Sequence, residues 1–289
     1  PRQSLLRLRE FYQAEIEVFC NPNRLNDLPK FEQVKDTSLT LFIDNSARKI
    51  SAEETVEQGL LPNKLVAYYM SLLAMFYSRT GLNMERTRFR KLSDDEKAFY
   101  ASTAFDFEVE TSNGWLELVA CNYRSDYDLS KHAGISKQNL NVIDPSDNTK
   151  VLPHIFELSM GIDRRIYSIL EHSYYEDLEA NRVVLKLVPQ IAPILVGIFP
   201  LVTKDGLREK AQDIHAKLKL DYPVFYDESG SIGRRYRRLE EVGAPFALTI
   251  DNQTMNDDTV TIRYRDSMKQ ERINVSDIPK FMDTILDSK

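Results

Sequence analysis

An apolar run that carries a single acid and turns abruptly into a helix is the feature of this 289-residue chain that most restricts its fold. It occupies residues 154–172, HIFELSMGIDRRIYSILEH. Side chains two apart on a strand project from the same face, which puts Glu157 and Ser159 together. Gly161 is expected to permit a tight turn and the close approach of a ligand, and Arg164 to stand in the first helical turn over the same cavity. The junction therefore reads as one wall of an active site. On spacing alone, a structural ion pair is the favoured explanation of an acid in a strand and an arginine at a helix start.

Composition narrows the function classes. With 42% hydrophobic residues the chain is long enough for two domains with separate cores. Its longest nearly apolar stretch, Ile191–Val202, is broken by Pro193 and Pro200 and too short to span a bilayer, so no membrane segment is expected. The opening residues mix charges with apolar side chains and lack the apolar centre of a secretory signal, which makes a cytoplasmic location the default. Cys20 and Cys121 have no thiol or histidine at ligand spacing, so they are expected to be buried thiols. A net charge of −6 argues against a surface that coats nucleic acid. It leaves a local basic patch, Arg234, Arg235, Arg237 and Arg238 around Tyr236. No phosphate loop, dinucleotide fingerprint or serine elbow is present.

Along the chain, Leu5–Phe19 is ambiguous between a strand and a short helix. A strand is predicted over 38–43 and helices over 52–59 and 63–78, the first opened by Ser51 and Glu54 as a capping box. In the second, Leu65, Tyr68, Tyr69, Leu72, Leu73 and Phe76 fall on one face and are predicted to be core. Residues 104–124 predict two antiparallel strands joined at 112–114. Glu117 lies among Trp115, Leu116, Leu118 and Val119, where an unpaired carboxylate is costly, so it is expected to need a cation, a metal or a ligand. Beyond a boundary near 180–190, strands at 194–199, 223–226, 246–250 and 259–264 alternate with helices at 205–219, 231–241 and 276–286. That order predicts a three-layer α/β unit with parallel strands.

Taken together, these segments resemble the second half of a glycyl-tRNA synthetase of the archaeal and eukaryotic type, a class II aminoacyl-tRNA synthetase. PRQSLLRLREFYQAEIEVF resembles the tail of that family's motif 2, WLELVACNYRSDYDLSKH its internal strand and loop, and HIFELSMGIDRRIYSILEH its motif 3. KDGLREKA, FYDESGSIGRRYRRLEEVGAPFALTID and DTVTIRYRDSMKQERI resemble its anticodon-binding domain. The resemblance implies an α+β protein. A partial class II antiparallel-sheet catalytic core is expected over 1–185, with a helical insertion around 51–100, and a three-layer α/β anticodon-binding domain over 186–289. It also implies a glycine–tRNA ligase that uses ATP to form glycyl-adenylate and passes the glycyl group to tRNA(Gly). Motif 1 and the start of motif 2 lie outside the chain, so by itself it is expected to be inactive. Its expected protein partner is a second copy in a full-length homodimer, or the missing N-terminal half. The alternative is a noncatalytic nucleic-acid-binding module on the same scaffold, such as a DNA polymerase accessory subunit.

The family's roles carry over to matching positions. Leu6, Arg7, Leu8, Arg9, Glu10 and Phe11 are implied to contact ATP, with Phe11 and Arg164 stacking on opposite faces of the adenine and Arg9, Glu117 and Arg164 taking catalytic roles. Glu117 with Leu118, and Gly161, Ile162 and Asp163 with Arg164, complete the implied ATP site, Glu117 holding Mg²⁺. Phe11, Tyr12, Gln13, Ala14 and Glu15, with Glu157, Leu158, Ser159, Met160 and Gly161, are implied to bind glycine, the carboxylates of Glu15 and Glu157 taking its ammonium. Arg234, Arg235, Tyr236, Arg237 and Arg238 are implied to meet tRNA. The chain departs from the family at Leu158 and Met160, usually Pro and Phe, at Ala120, usually Gly, and at Asn122 and Tyr123, usually Ala and Asp. The apolar swaps are expected to alter packing and spare the chemistry.

Overall fold

The computed structural model describes residues 12–287. Two compact units divide it: residues up to 78 together with 83–168, and residues 79–82 together with those from 169 onward. Among the described residues, no helix is long and apolar enough to cross a membrane.

The first unit is built on a seven-stranded sheet, with one pair of short strands apart from it. In chain order its elements are β1 (Gln13–Cys20), β2 (Ser38–Ile43), β3 (Ser46–Ser51), α1 (Ala52–Glu57), α2 (Lys64–Arg79), β4 (Thr87–Lys91), β5 (Thr103–Thr111), β6 (Gly114–Ser125), α3 (Tyr127–Ser136), the short β7 (Val142–Ile143) and β8 (Lys150–Val151), β9 (His154–Gly161) and α4 (Ile162–Ser173). Of the ambiguous opening segment, the described residues from 13 on form β1, an edge strand in the order β1-β9-β6-β5-β4-β2-β3. Every pairing is antiparallel except β2 with β4. Ser51 caps α1, its hydroxyl accepting from the Glu54 amide while the Glu54 carboxylate accepts from the Ser51 amide.

Strand alternation separates the sheet's two faces. Phe89, Phe105, Phe107, Val119, Cys121, Phe156, Leu158 and Met160 are all buried on one side. There the Phe107 ring lies 4.8 Å from Phe89 and 4.9 Å from Tyr77 of α2. The buried stripe of α2 is Val66, Met70, Leu73 and Tyr77, with Leu65, Ala67 and Ala74 beside it. This corrects the predicted face: Leu72 and Phe76 are exposed at 37% and 41%. A helix with apolar residues on nearly every side does not declare which stripe the sheet will cover. Phe76 is instead roofed by the Arg165 guanidinium, 4.3 Å from its centroid.

The second unit begins with a hairpin, β10 (Tyr174–Asp177) and β11 (Arg182–Leu185). It continues through β12 (Val196–Pro200), α5 (Leu207–Leu218), β13 (Val224–Tyr226), α6 (Ile232–Glu241), β14 (Phe246–Ile250), α7 (Asn252–Asp257), β15 (Thr259–Tyr264), β16 (Gln270–Asn274) and α8 (Ile278–Asp287). The sheet order is β13-β12-β14-β15-β16; the first three strands run parallel and the last two antiparallel. The strands that alternate with helices are parallel, as that alternation predicts, while β15 and β16 make the sheet mixed, and β16 goes unpredicted because QERIN carries too few apolar residues to declare a strand. Leu207, Ala211 and Ile214 of α5 and Met282 of α8 join one apolar cluster with the strands, and Leu239 of α6 joins another with Phe199, Ala244 and Ala247. Helices thus cover both faces, giving three layers.

Buried charges tie the hairpin to this sandwich. Arg182 bonds Asp177 at 2.7 Å and approaches Glu240 of α6 at 3.3 Å, and Glu240 in turn receives Arg263 of β15 at 3.1 Å. The packing of α6 also demands a glycine. A Cβ at Gly197 would stand 2.6 Å from Leu239 and 2.7 Å from Phe199. Gly197→Ala is expected to destabilise the protein by about 1–3 kcal/mol through overpacking. A urea melt checks this: the midpoint should fall at unchanged slope, and an unmoved midpoint defeats the packing argument.

Candidate functional site

The second face of the seven-stranded sheet is polar. Residues directly opposite each other in an antiparallel pair share a face, so register identifies its members. One row runs Glu15, Ser159, Ala120, Asp106 and Arg90 across β1, β9, β6, β5 and β4. The next runs Glu17, Glu157, Asn122 and Ala104. The Ser159 hydroxyl donates to Glu15 at 3.3 Å. Glu15 and Ser159, far apart in sequence, are thereby joined on one surface with Glu157.

Glu117 reaches this face through a bulge. Phe107 pairs with Val119, but the next β5 residue, Glu108, pairs with Glu117 and skips Leu118. Without that extra residue, Glu117, three positions from Ala120, would turn to the opposite side. Leu118 is left 1% exposed in the core. The Glu117 side chain is 39% exposed, and Arg164 donates to its carbonyl at 3.1 Å and stands 3.5 Å from its carboxylate. The cation that the sequence calls for is therefore Arg164, while Leu116, Leu118 and Val119 face the other way and Trp115 shares the face of Glu117.

The buried acids of this face are each gripped by arginine. Glu157, 7% exposed, receives Arg124 at 3.1 Å. Arg124 also bonds Asp128 at 2.7 Å and lies 4.3 Å from the Tyr100 ring centroid. Burial works against its charge, yet Glu157 and Asp128 outweigh that and raise its pKa. Arg88 bonds Glu108 at 2.7 Å, and Arg90 bonds Glu108 at 2.9 Å and Asp106 at 3.1 Å. Burial, with the Glu117 and Glu108 charges, still pushes Asp106 up to about 7 against the pull of Arg90. Sequence reasoning missed Arg88, Arg90, Asp106, Glu108 and Arg124, although base-x-base in TRFRK facing acid-x-acid in FDFE was an available signal.

Other expected positions fall into place or out of it. Leu6, Arg7, Leu8, Arg9, Glu10 and Phe11 lie outside the described residues. The Tyr12 amide donates to Asp163 at 3.2 Å and its carbonyl accepts from the Ile162 amide, which holds the start of β1 against the first turn of α4. Gln13 pairs with Gly161. Leu158 and Met160 are buried on the apolar face, and Ala14 pairs with Met160 on that side, so these side chains do not line the polar surface. Gly161 is not in the left-handed region, and an added Cβ would meet Arg164 at an ordinary 3.7 Å. Contrary to the expected tight turn, β9 runs straight into α4.

In the second unit, the basic helix α6 presents fewer cations than its sequence suggests. Arg235 is 3% exposed, donating to the Pro200 carbonyl at 2.6 Å and the Gly230 carbonyl at 3.3 Å. The Tyr236 hydroxyl and Thr249 are hydrogen-bonded at 2.6 Å. Arg237 donates to the Ala180 carbonyl at 3.0 Å, and Arg238 bonds Asp227 and Ser229. Arg234 is exposed beside a shallow groove formed with Ser231, Gly233, Arg237 and Arg238.

Linkage makes the raised Asp106 testable. Its folded pKa lies above the unfolded value of 3.8, so the folded state holds the extra proton between about 4 and about 7, and stability from this group falls as pH rises across that window. Asp106→Asn is expected to raise the melting temperature relative to the unsubstituted protein more at pH 8 than at pH 5. Equal differences at the two values would refute the assignment.

Residues 195–285 match the family described as anticodon binding domain. The whole chain matches the glycine–tRNA ligase of Archaeoglobus fulgidus, 32% identical over 364 residues that cover 100% of this chain and 64% of that protein. It is 34% identical to the glycine–tRNA ligase of Pyrococcus abyssi over 363 residues, 97% of this chain and 63% of the relative, and 35% identical to that of Methanothrix thermoacetophila over 353 residues, 94% and 61%. The chain thus spans somewhat less than two thirds of the length of the curated relatives it matches. With an antiparallel sheet of class II type, an anticodon-binding domain after it and similarity along nearly all its length, the chain belongs to the glycine–tRNA ligase family.

Proposed function

We propose that this chain carries the amino-acid subsite and part of the ATP site of a glycine–tRNA ligase, with a tRNA-binding domain after them. The observation that carries the reading is the acidic sheet face, where Glu15, Ser159 and Glu157 stand on adjacent strands with Glu117 and Arg164 at its bulged end. Glycine offers no side chain to grip, so recognition must use its ammonium group, and carboxylates on a rigid sheet are the acceptors that charge demands. Glu15 and Glu157 take the ammonium in this reading. The glycine carboxylate then attacks the α-phosphorus of ATP and pyrophosphate leaves; the terminal ribose hydroxyl of tRNA attacks the resulting glycyl-adenylate and AMP leaves. Positioning and charge stabilisation carry most of the rate.

Arg164, fixed by its bond to the Glu117 carbonyl, is set to lie against the adenine. Among the described residues, no group of three or more acids, histidines or cysteines is arranged to hold a metal. A single half-exposed carboxylate such as Glu117 nonetheless suits Mg²⁺, which is bound through one or two carboxylates and substrate phosphates. When present, the ion would neutralise phosphate charge. For tRNA, the exposed Arg234 and Arg238 are the phosphate contacts we favour, with Arg235 excluded by its burial.

Glycine-dependent pyrophosphate exchange by the native protein tests the reading. Glu157→Gln is expected to lower kcat/KM for glycine at least about 100-fold, the cost of removing a charged partner; unchanged exchange would sink the subsite assignment. No exchange and no binding of a glycyl-adenylate analogue by the unsubstituted native protein would favour the noncatalytic module. Charge reversal of Arg234 and Arg238 together should weaken tRNA binding and flatten its salt dependence; an unchanged slope removes α6 from the tRNA contacts.

A further inference from the structure

A ladder of aromatic rings leads outward from the acidic face. It is formed by the segment between β4 and β5, residues 92–102, together with α3. The segment is anchored at both ends. The Leu92 amide donates to the Ala104 carbonyl at 3.0 Å, the Lys97 ammonium to the Ser102 carbonyl at 3.0 Å, and the Ser102 amide and hydroxyl to the Tyr123 carbonyl at 2.8 and 2.9 Å. Ala101 is 4% exposed within this anchor, whereas Phe99, two positions earlier, is 82% exposed. A ring so exposed adds little burial to the fold, yet it is held out on a tethered segment.

Phe99 is one rung among several. Tyr100 lies 5.3 Å from it at 77° and Tyr127 of α3 lies 5.8 Å away at 69°, both edge-to-face. Tyr100 is the inner end, because Arg124 stands 4.3 Å from its ring centroid and grips Glu157 of the acidic face. Tyr127 is the outer end, with the Lys131 ammonium, one turn along α3, 4.1 Å from its ring centroid. Of the acids in the segment, Asp94 is paired with Lys97 and Glu96 with Arg90, both at 2.8 Å. Asp95 and Lys131 make no ion pair among the described residues, so an anionic partner is favoured on the α3 side and the rings supply the bulk of the contact.

Exposed aromatic rings with a neighbouring cation suit single-stranded nucleic acid, since every base offers a π-face and every nucleotide a phosphate. The ligase reading supplies such a strand at this place: the terminal ribose hydroxyl of tRNA must reach the glycyl-adenylate beside Glu157. We propose that Phe99 and Tyr127 form a stacking platform for the unpaired 3′ end of tRNA, with Lys131 meeting a phosphate on its outer side. The proposal rests on that reading and names the surface along which the tRNA end enters.

Binding of tRNA(Gly) to the native protein, intact and trimmed of its unpaired 3′ nucleotides, provides the test, together with single-turnover transfer of glycine to tRNA. Phe99→Ala is expected to weaken intact tRNA and to slow transfer roughly ten-fold, the scale of one lost base stack. Binding of trimmed tRNA, and glycine-dependent pyrophosphate exchange, which needs no tRNA, should stay within two-fold. Phe99→Trp keeps a stacking face and is expected to retain transfer; Phe99→Leu keeps apolar bulk without one and is expected to behave as Phe99→Ala. A melting curve for each variant guards against loss of folding, and if Phe99→Ala does not fold, the same comparison with Tyr127→Ala decides. Equal losses for intact and trimmed tRNA, or full transfer by Phe99→Leu, overturn the platform. So does an altered sedimentation coefficient with unaltered tRNA binding, which makes the strip a protein contact. An unsubstituted protein with neither glycine exchange nor tRNA binding overturns the proposed function and this inference together; an active one whose transfer is indifferent to Phe99→Ala overturns the inference alone.

Discussion

The pairing of arginine with carboxylate across one sheet face is the interaction on which the site depends. Glu108, Asp106 and Glu157 are each 8% exposed or less, and an isolated carboxylate so buried would neutralise rather than pay the cost of desolvation. Arg88, Arg90 and Arg124 pair with them at 2.7–3.1 Å. At 4 Å and an effective dielectric of about 20, such a pair is worth about 4 kcal/mol before desolvation is deducted. Asp106, which shares Arg90 with Glu108 and Glu96, is the acid for which the balance fails, and its pKa rises accordingly. The outer row, with Glu15 and Glu17 exposed, stays negative toward solvent and suits a cationic group.

The same period-two geometry sorts the positions at which the chain departs from the family it resembles. Leu158, Met160 and Tyr123 lie on the apolar face, where a change of shape is a matter of packing against the core under α2. Ala120 and Asn122 lie on the polar face, opposite Ser159 and Glu157. Residues adjacent in sequence thus carry unrelated consequences: Tyr123 repacks a wall and Asn122 alters a floor.

The basic helix shows how a charge run divides between fold and surface. Helical spacing sends Arg235 inward, toward carbonyls at the ends of β12 and the loop before α6, while Arg234 and Arg238 stay outside. Among the described residues Arg235 makes no close ion pair, and burial lowers its pKa against the pull of the Asp227 charge, so carbonyl dipoles take the place of a carboxylate. Four arginines in the sequence therefore amount to a smaller electrostatic footprint on the molecule.

Much of this was legible in the residues. The strand of β9 with Glu157 and Ser159 on one face, the capping box at Ser51, the hairpin at 112–114 and the alternation of the second unit all follow from local periodicity and turn chemistry, which need no knowledge of distant segments. Tertiary structure alone decided the rest. Which stripe of α2 is buried, which acids share an arginine, and that Arg235 turns inward are set by partners 15 or more residues away. The bulge at Leu118 is the plainest case: the sequence around Glu117 reads as an apolar strand, and only the register with β5 turns that carboxylate to the polar face. A single extra residue in a ladder reverses the facing of every side chain beyond it, and nothing in the local composition records it.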